Sequence, residues 1–214
     1  MSATPPEAPK DCPLCPRLVA YREQNKRAEP SWFNGAAPSF GDANARLLIV
    51  GLAPGRTGAN RTGRPFTGDY AGDLLYGTLK KLGLAEGEYR ADPADGFTLK
   101  GAMITNAVRC APPENKPTPA EIATCRPFLA SRRSALPKLR AMLALGSIAH
   151  ESVLRAHAIK PSAAKFGHGA ETLLPDGCIM VSSYHCSRYN TQTRRLTTEM
   201  FETVMARAKA IAFG

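Results

Sequence analysis

Apolar residues along the chain fall into four short, nearly unbroken runs, separated by longer stretches in which apolar positions recur every three or four residues. The runs Arg46–Val50, Ala102–Val108, Met142–Leu145 and Ile179–Tyr184 have the length of strands and little polar alternation, the pattern of strands covered on both faces. Between them the period changes. Leu74, Leu75, Thr78, Leu79 and Leu82 share one face of a helix predicted over 71–82. Thr118-Pro119-Ala120-Glu121 is a capping box with proline at the first helical position, and predicts a helix running to about Leu136. Further helices are predicted over Ser147–Ala156 and Thr193–Ile211, the latter with Leu196, Met200, Val204, Ala208 and Ile211 in a stripe. An N-terminal helix, following a turn at Cys12, carries Leu14, Leu18 and Tyr21 and ends near Arg27. Strands alternating with helices argue for a parallel sheet with helices on both faces, whose ligand lies beyond the carboxyl ends of the strands. Residues 1–11, rich in proline and alanine and without periodicity, read as a flexible tail ahead of a single domain over 12–214, and 30–42 as an irregular packed loop.

Length and composition fit that picture and narrow the partners. The chain has 214 residues, 43% of them apolar, enough for one compact domain. No apolar run approaches the ~20 residues of a membrane span. The first dozen residues lack the basic-then-apolar order of a secretory signal, so a cytoplasmic protein is expected. Lys and Arg number 28 against 18 Asp and Glu, a net charge of +10, which favours a phosphate polymer as partner. Charge by itself leaves RNA and membrane surfaces open.

The strand ends carry the unusual chemistry. After the first comes GLAPGRTGANRTGRPFTGDYAGD (51–73), with six glycines and Arg56, Arg61 and Arg64. Glycines let backbone approach a ligand closely and offer N–H groups to it. Neither the GxxxxGK[ST] nor the GxGxxG nucleotide motif is present. Asp69 is the clearest carboxylate in this loop, whereas Asp73 reads as a first-turn helix charge. Asn106 is a polar amide in a buried strand, either a structural group or a reader of a flat polar ring. Asn115 lies in a proline-rich loop, as a turn residue or an orienting group. His185 ends the fourth strand on the ligand face and is followed by Ser187, Arg188, Tyr189 and Asn190, a placement that favours catalysis over structure.

Six cysteines are too few for a disulfide scaffold. Cys12-x2-Cys15 has metal-ligand spacing, and Cys110 and Cys125 flank a 14-residue loop. Four thiolates suit a structural zinc or an iron–sulfur cluster, and spacing does not choose between them. Cys178 and Cys186 read as small packing residues.

GLAPG, TGRPFTGDYAGD, TNAVRCAPPENKPTP and SSYHCSRYNTQTRRLT together resemble the uracil-DNA glycosylase superfamily over about residues 11–205, nearest to its family 5, or type B, iron–sulfur branch. The resemblance implies a three-layer α/β/α sandwich on a short, mainly four-stranded parallel sheet. It implies a [4Fe–4S] cluster on Cys12, Cys15, Cys110 and Cys125, and hydrolytic removal of uracil, with other deaminated bases as further candidates, from a base flipped out of DNA. Phe66 matches the aromatic that stacks on the base, Asn106 the amide that reads the uracil edge in family 4, and His185 the donor to the base O2. The resemblance also implies substrate binding by Gly51, Leu52 and Ala53 in the first loop and by Ser187 and Arg188, with Tyr189 in place of the side chain that wedges into the vacated stack. Leu52 and Ala53 stand where many relatives carry a water-positioning carboxylate or amide. Asp69, with Asn115 second, is therefore the expected water-orienting group. Cys186 stands where the family more often has proline. The implied partner is uracil-containing double-stranded DNA, with single-stranded DNA a further candidate, acted on by a monomer. A lesion-binding module without turnover is the alternative that the missing carboxylate supports.

Overall fold

The computed structural model describes residues 5–214. In chain order its elements are α1 (Pro16–Ala28), β1 (Phe40–Gly41), β2 (Leu47–Gly51), α2 (Ala59–Thr62), α3 (Tyr70–Lys81), β3 (Ala85–Glu86), β4 (Thr98–Leu99) and β5 (Ala102–Asn106). There follow α4 (Pro119–Ser134), β6 (Ala141–Leu145), α5 (Ser147–Ala156), β7 (Glu171–Leu173), β8 (Ile179–Ser183), α6 (Arg188–Gln192) and α7 (Thr198–Phe213). The main sheet has the order β1-β5-β2-β6-β8-β7, and β3 pairs with β4 in a separate hairpin.

The four predicted strands are the four central ones, all parallel: β5, β2, β6 and β8. Residues alternate between faces with the period of two that a strand imposes. Leu47, Ile49, Ile104, Leu143 and Val181 join α3 and α7 in one apolar layer. Leu48, Val50, Met103, Met142 and Met180 join α4 and α5 in the other. Both faces are covered, which is why these strands read as continuous apolar runs. The edge strands β1 and β7 are antiparallel and span two and three residues, too short to leave a pattern.

The capping box at Thr118 and Glu121 forms in both directions and starts α4. The long C-terminal helix predicted from Thr193 is a correction. Helix α7 starts five residues later, at Thr198; 193–197 form a turn after α6 in which Arg194 takes a left-handed φ of 56°, and Thr197 caps α7 by accepting from Met200 N at 3.2 Å. A β-branched hydroxyl residue in a stripe of helical period had hidden the cap.

Residues 5–11, read as part of a flexible tail, make specific contacts; residues 1–4 lie outside the described residues. Glu7 accepts from Arg109 Nη1 at 3.0 Å and pairs with Arg132, and it also takes Ser39 N at 3.0 Å. Arg109 is only 1% exposed, so this carboxylate offsets a charge that burial would otherwise make costly. Ala36 N donates to Lys10 O at 2.8 Å, and Cys12 N to Pro9 O at 2.9 Å. A segment without periodicity thus makes two ion pairs and backbone bonds, neither of which a periodicity argument detects. No helix among the described residues is long and apolar enough to cross a membrane.

Candidate active site

Parallel pairing of β2 with β5 sets Gly51 opposite Asn106. The ladder continues past the strand ends, with Ala107 N donating to Gly51 O and Val108 N to Leu52 O, both at 2.9 Å. The first residues of the glycine-rich loop are thereby fixed beside Asn106. A Cβ on Gly51 would come within 2.6 Å of Phe66 Cζ, so only glycine lets this loop pass beneath the ring.

Above this floor opens a cavity of about 430 Å³ at the carboxyl ends of the strands, the place where parallel sheets bind ligands. Leu52, Ala53, Phe66, Asp69, Asn106, Asn115, His185, Ser187 and Arg188, separated by up to 136 positions in sequence, all line it. Gly51 lies under the floor instead. Tyr189 lines no part of the cavity. It stands on α6, 70% exposed, one residue from Arg188 at the rim.

Asn106 is 3% exposed, and its Oδ1 is buried with no hydrogen-bond partner among the described residues. A buried amide left without partners is costly, and an amide presents a donor and an acceptor on one planar group. The His185 imidazole makes no hydrogen bond among the described residues, and faces the Phe66 ring at 6.0 Å with the planes 29° apart. Burial lowers its pKa from 6.5, so the ring is neutral near pH 7, with one N–H to give. Its backbone is held by Asn190 Nδ2, which donates to His185 O at 2.8 Å.

Asp69 has two tasks. Its Oδ1 accepts from Gly72 N at 3.1 Å and caps α3. Its Oδ2 and Asn115 Oδ1 converge on Gly55, at 3.6 and 3.9 Å from the position of a Cβ there. Burial raises the Asp69 pKa, and the Gly72 N–H opposes that shift. Asn115 and its neighbour Glu114 both have left-handed backbone, φ 56° and 55°, strain of the kind that gathers at functional sites.

Arg56 and Tyr70 are among the lining residues left unassigned from sequence. Arg56 Nε donates to Asn25 Oδ1 at 2.8 Å, and its guanidinium lies 5.0 Å from the Trp32 ring. Tyr70, the first residue of α3, supports Arg188, whose guanidinium lies 5.3 Å from its ring. Neither arginine has a carboxylate partner among the described residues, so both keep their charge free at the cavity wall. The only sequence signal for Arg56 was its place in the glycine-rich loop; its partners come from α1 and the loop that follows it.

This geometry suits a flat polar ring entering between strand ends, with cations at the rim. Comparison with known proteins agrees. Residues 38–209 match the family model described as the uracil DNA glycosylase superfamily. The chain belongs to that superfamily. Its relatives there include several of type 5 at 41–49% identity and others of type 4 at 34–36%. A type-5 uracil-DNA glycosylase of Thermus thermophilus is 49% identical over 207 residues, covering 94% of each chain. Those of Mycobacterium tuberculosis and Pyrobaculum aerophilum are 44% and 41% identical, each over 94% of this chain and over 78% and 89% of their own lengths.

The four paired cysteines of this glycosylase-family chain gather elsewhere, beside the cavity rather than in it. Cys12, Cys110 and Cys125 are buried, and Cys15 packs against them with Leu18, Val108 and Phe128. All four thiols border one apolar pocket, and none is in a disulfide. Among the described residues no three ligand side chains close around a single ion. Burial, with added repulsion from the neighbouring sulfurs, pushes the Cys110 thiol up to about 12. Burial likewise pushes the Cys125 thiol up to about 11, while Arg109 N donates to its Sγ at 3.3 Å. Cys178 and Cys186 sit apart as expected, giving weak bonds to Leu139 O and Ala71 O.

The depressed His185 pKa carries a pH consequence. The imidazole costs nothing while neutral, so its contribution is complete above the unfolded value of 6.5 and is lost as pH falls from there toward the lower folded value. Wild type is expected to lose more thermal stability than His185→Gln between about pH 7 and pH 5. Melts at both pH values in the same salt check this, and equal losses in the two proteins contradict a buried neutral ring.

Proposed function

We propose that the protein removes uracil from DNA by hydrolysing the N-glycosidic bond, leaving an abasic site as the first step of base-excision repair. The observation that carries this reading is the orphaned amide of Asn106 at the floor of a cavity walled by Phe66 and His185. An extruded uracil satisfies it: the ring offers a carbonyl and an N–H on one edge, matching an amide's donor and acceptor. The names of the type-5 relatives support the same chemistry.

Cleavage leaves a cationic sugar and an anionic base, and catalysis lies in stabilising charges that exist only as the bond breaks. His185, a neutral donor, gives its N–H to the base O2 as negative charge builds there. Backbone N–H groups of the Gly51–Gly55 loop assist. Phe66 stacks on the base. Asp69 Oδ2, with Asn115 Oδ1 across Gly55, orients the water and takes its proton, a task that the raised pKa of Asp69 suits. Ser187, Arg188 and Tyr189 meet the DNA at the rim, Tyr189 filling the gap left by the base. Duplex DNA containing uracil is the substrate, with single-stranded DNA second, and the protein acts as a cytoplasmic monomer.

Cys12, Cys15, Cys110 and Cys125 would hold a [4Fe–4S] cluster. Four thiols around one apolar pocket fit it better than zinc, because a lone tetrahedral ion needs every sulfur ~2.3 Å from one point, whereas a cluster takes one thiolate per iron. Bound there, it supplies a tether joining the segment before α1 to the loop after β5. Cys110→Ala is expected to give colourless, poorly soluble protein, while Cys178→Ala keeps its colour and iron. Iron content per chain is the readout, and equal loss in both variants rejects the ligand set.

Release of free uracil from a G·U duplex, leaving an alkali-labile site, tests the activity itself. In single turnover His185→Ala should be slower by about 10²–10³, as for loss of one transition-state donor. Asp69→Asn should cost less, toward the lower end of the ~10²–10⁴ of general-base catalysis, because the sugar cation needs little help from its nucleophile. A substrate with a better leaving base should rescue His185→Ala more than Asp69→Asn. Equal rescue contradicts these roles, and no uracil release from the wild type contradicts the activity.

A further inference from the structure

The segment between α3 and β5 leaves the main sheet, forms the β3–β4 hairpin, and takes no part in the chemistry above. It brings Tyr89 and Asp95 beneath the turn Arg64–Gly68, which carries Phe66. Arg64 is buried and binds Asp95 through both nitrogens at 2.8 Å, while its Nε donates to Thr67 Oγ1 at 2.7 Å. Asp95 is itself fixed by the backbone N–H groups of Arg90 (3.0 Å) and Phe97 (2.9 Å). The guanidinium also lies 5.5 and 5.6 Å from the rings of Tyr76 and Tyr89. Tyr76 Oη donates to Pro65 O at 2.6 Å. Tyr89 Oη donates to Phe66 O at 3.2 Å and accepts from Gly68 N at 3.5 Å.

All these bonds converge on one strained residue. Phe66 has φ 55°, which a bulky side chain adopts only where its surroundings over-determine it, at a cost of about 1–3 kcal/mol. From the other side α3 presses close: a Cβ on Gly72 would overlap Phe66 O. The strain turns the ring onto the cavity floor, against Gly51 and facing His185.

We propose that the β3–β4 hairpin is a brace for the pocket: Tyr89, with Tyr76 and the Arg64–Asp95 pair, holds Phe66 in its left-handed conformation so that the ring meets an extruded base face-on. Tyr89 is a positioning residue that acts through Phe66. The inference rests on the reading of Phe66 as the stacking wall.

A double-mutant cycle on the holoprotein tests it, with free uracil as competitor against a uracil-containing duplex. Tyr89→Phe removes only the hydroxyl and should weaken inhibition by uracil about three- to tenfold, the range of one neutral hydrogen bond. Phe66→Ala should weaken it more. Adding Tyr89→Phe to Phe66→Ala should then change nothing beyond about twofold, because the hydroxyl acts through the missing ring. Affinity for undamaged duplex should stay constant throughout. Tyr76→Phe, which removes the parallel bond to Pro65 O, should follow the same pattern and serves if Tyr89→Phe folds poorly. The brace is overturned if these variants lower only the melting temperature, or weaken inhibition equally with and without Phe66. If Phe66→Ala leaves uracil inhibition unchanged, the stacking role fails and the brace with it.

Discussion

The pairing of Gly51 with Asn106 across two parallel strands is the contact on which the rest of the site depends. It places a residue without a side chain opposite one whose amide is buried without a partner. The missing Cβ leaves room for the Phe66 ring and for the amide. A shift of one residue in β5 would turn Asn106 to the opposite face of the sheet from Phe66, since strand side chains alternate between faces. The apolar layers that fix this register, α3 and α7 on one side and α4 and α5 on the other, are therefore parts of the site at one remove.

From Asn106 the chain reaches Cys110 in four residues, and the loop closed by Cys110 and Cys125 carries Asn115 back over the cavity. The cysteine pocket and the cavity are thus two ends of one segment. What steadies the thiols also steadies the paired left-handed residues Glu114 and Asn115. The ion pairs of Glu7 with Arg109 and Arg132 tie the start of the chain to the same segment. Most arginines with fixed geometry away from the cavity are likewise paired with carboxylates, as Arg17 is with Glu121 and Arg207 with Glu171. Arg56 and Arg188, at the cavity, rest on aromatic rings and keep their charge for a phosphate backbone.

The four central strands were legible because burial on both faces writes itself as uninterrupted apolar runs. Asp69, Asn106, Asn115 and His185 were legible as polar groups at strand ends or in ligand-facing loops, where a parallel sheet leaves its ligand. The rest depended on contacts distant in sequence. Nothing local marks Glu7 as the partner of Arg109, 102 positions away. Nothing marks Tyr89 as the support of Phe66, because a half-buried tyrosine in the loop joining two two-residue strands leaves no periodicity. The late start of α7 was obscured because Leu196, in the turn before it, continues the helical spacing of Met200 and Val204. Tyr189, read as a stack-filling wedge, stands exposed on α6 clear of the cavity.

Recognition of the base stands or falls on the buried amide. Competition by free uracil and by 3-methyluracil, whose ring N–H is blocked, measures it directly. Wild type should bind uracil at least about tenfold more tightly, the cost of leaving a buried polar group unpaired. That preference should collapse in Asn106→Ala, where neither the amide nor its bulk remains. Equal binding of the two rings by wild type, or an undiminished preference in Asn106→Ala, would contradict the reading of Asn106 as the group that recognises the base.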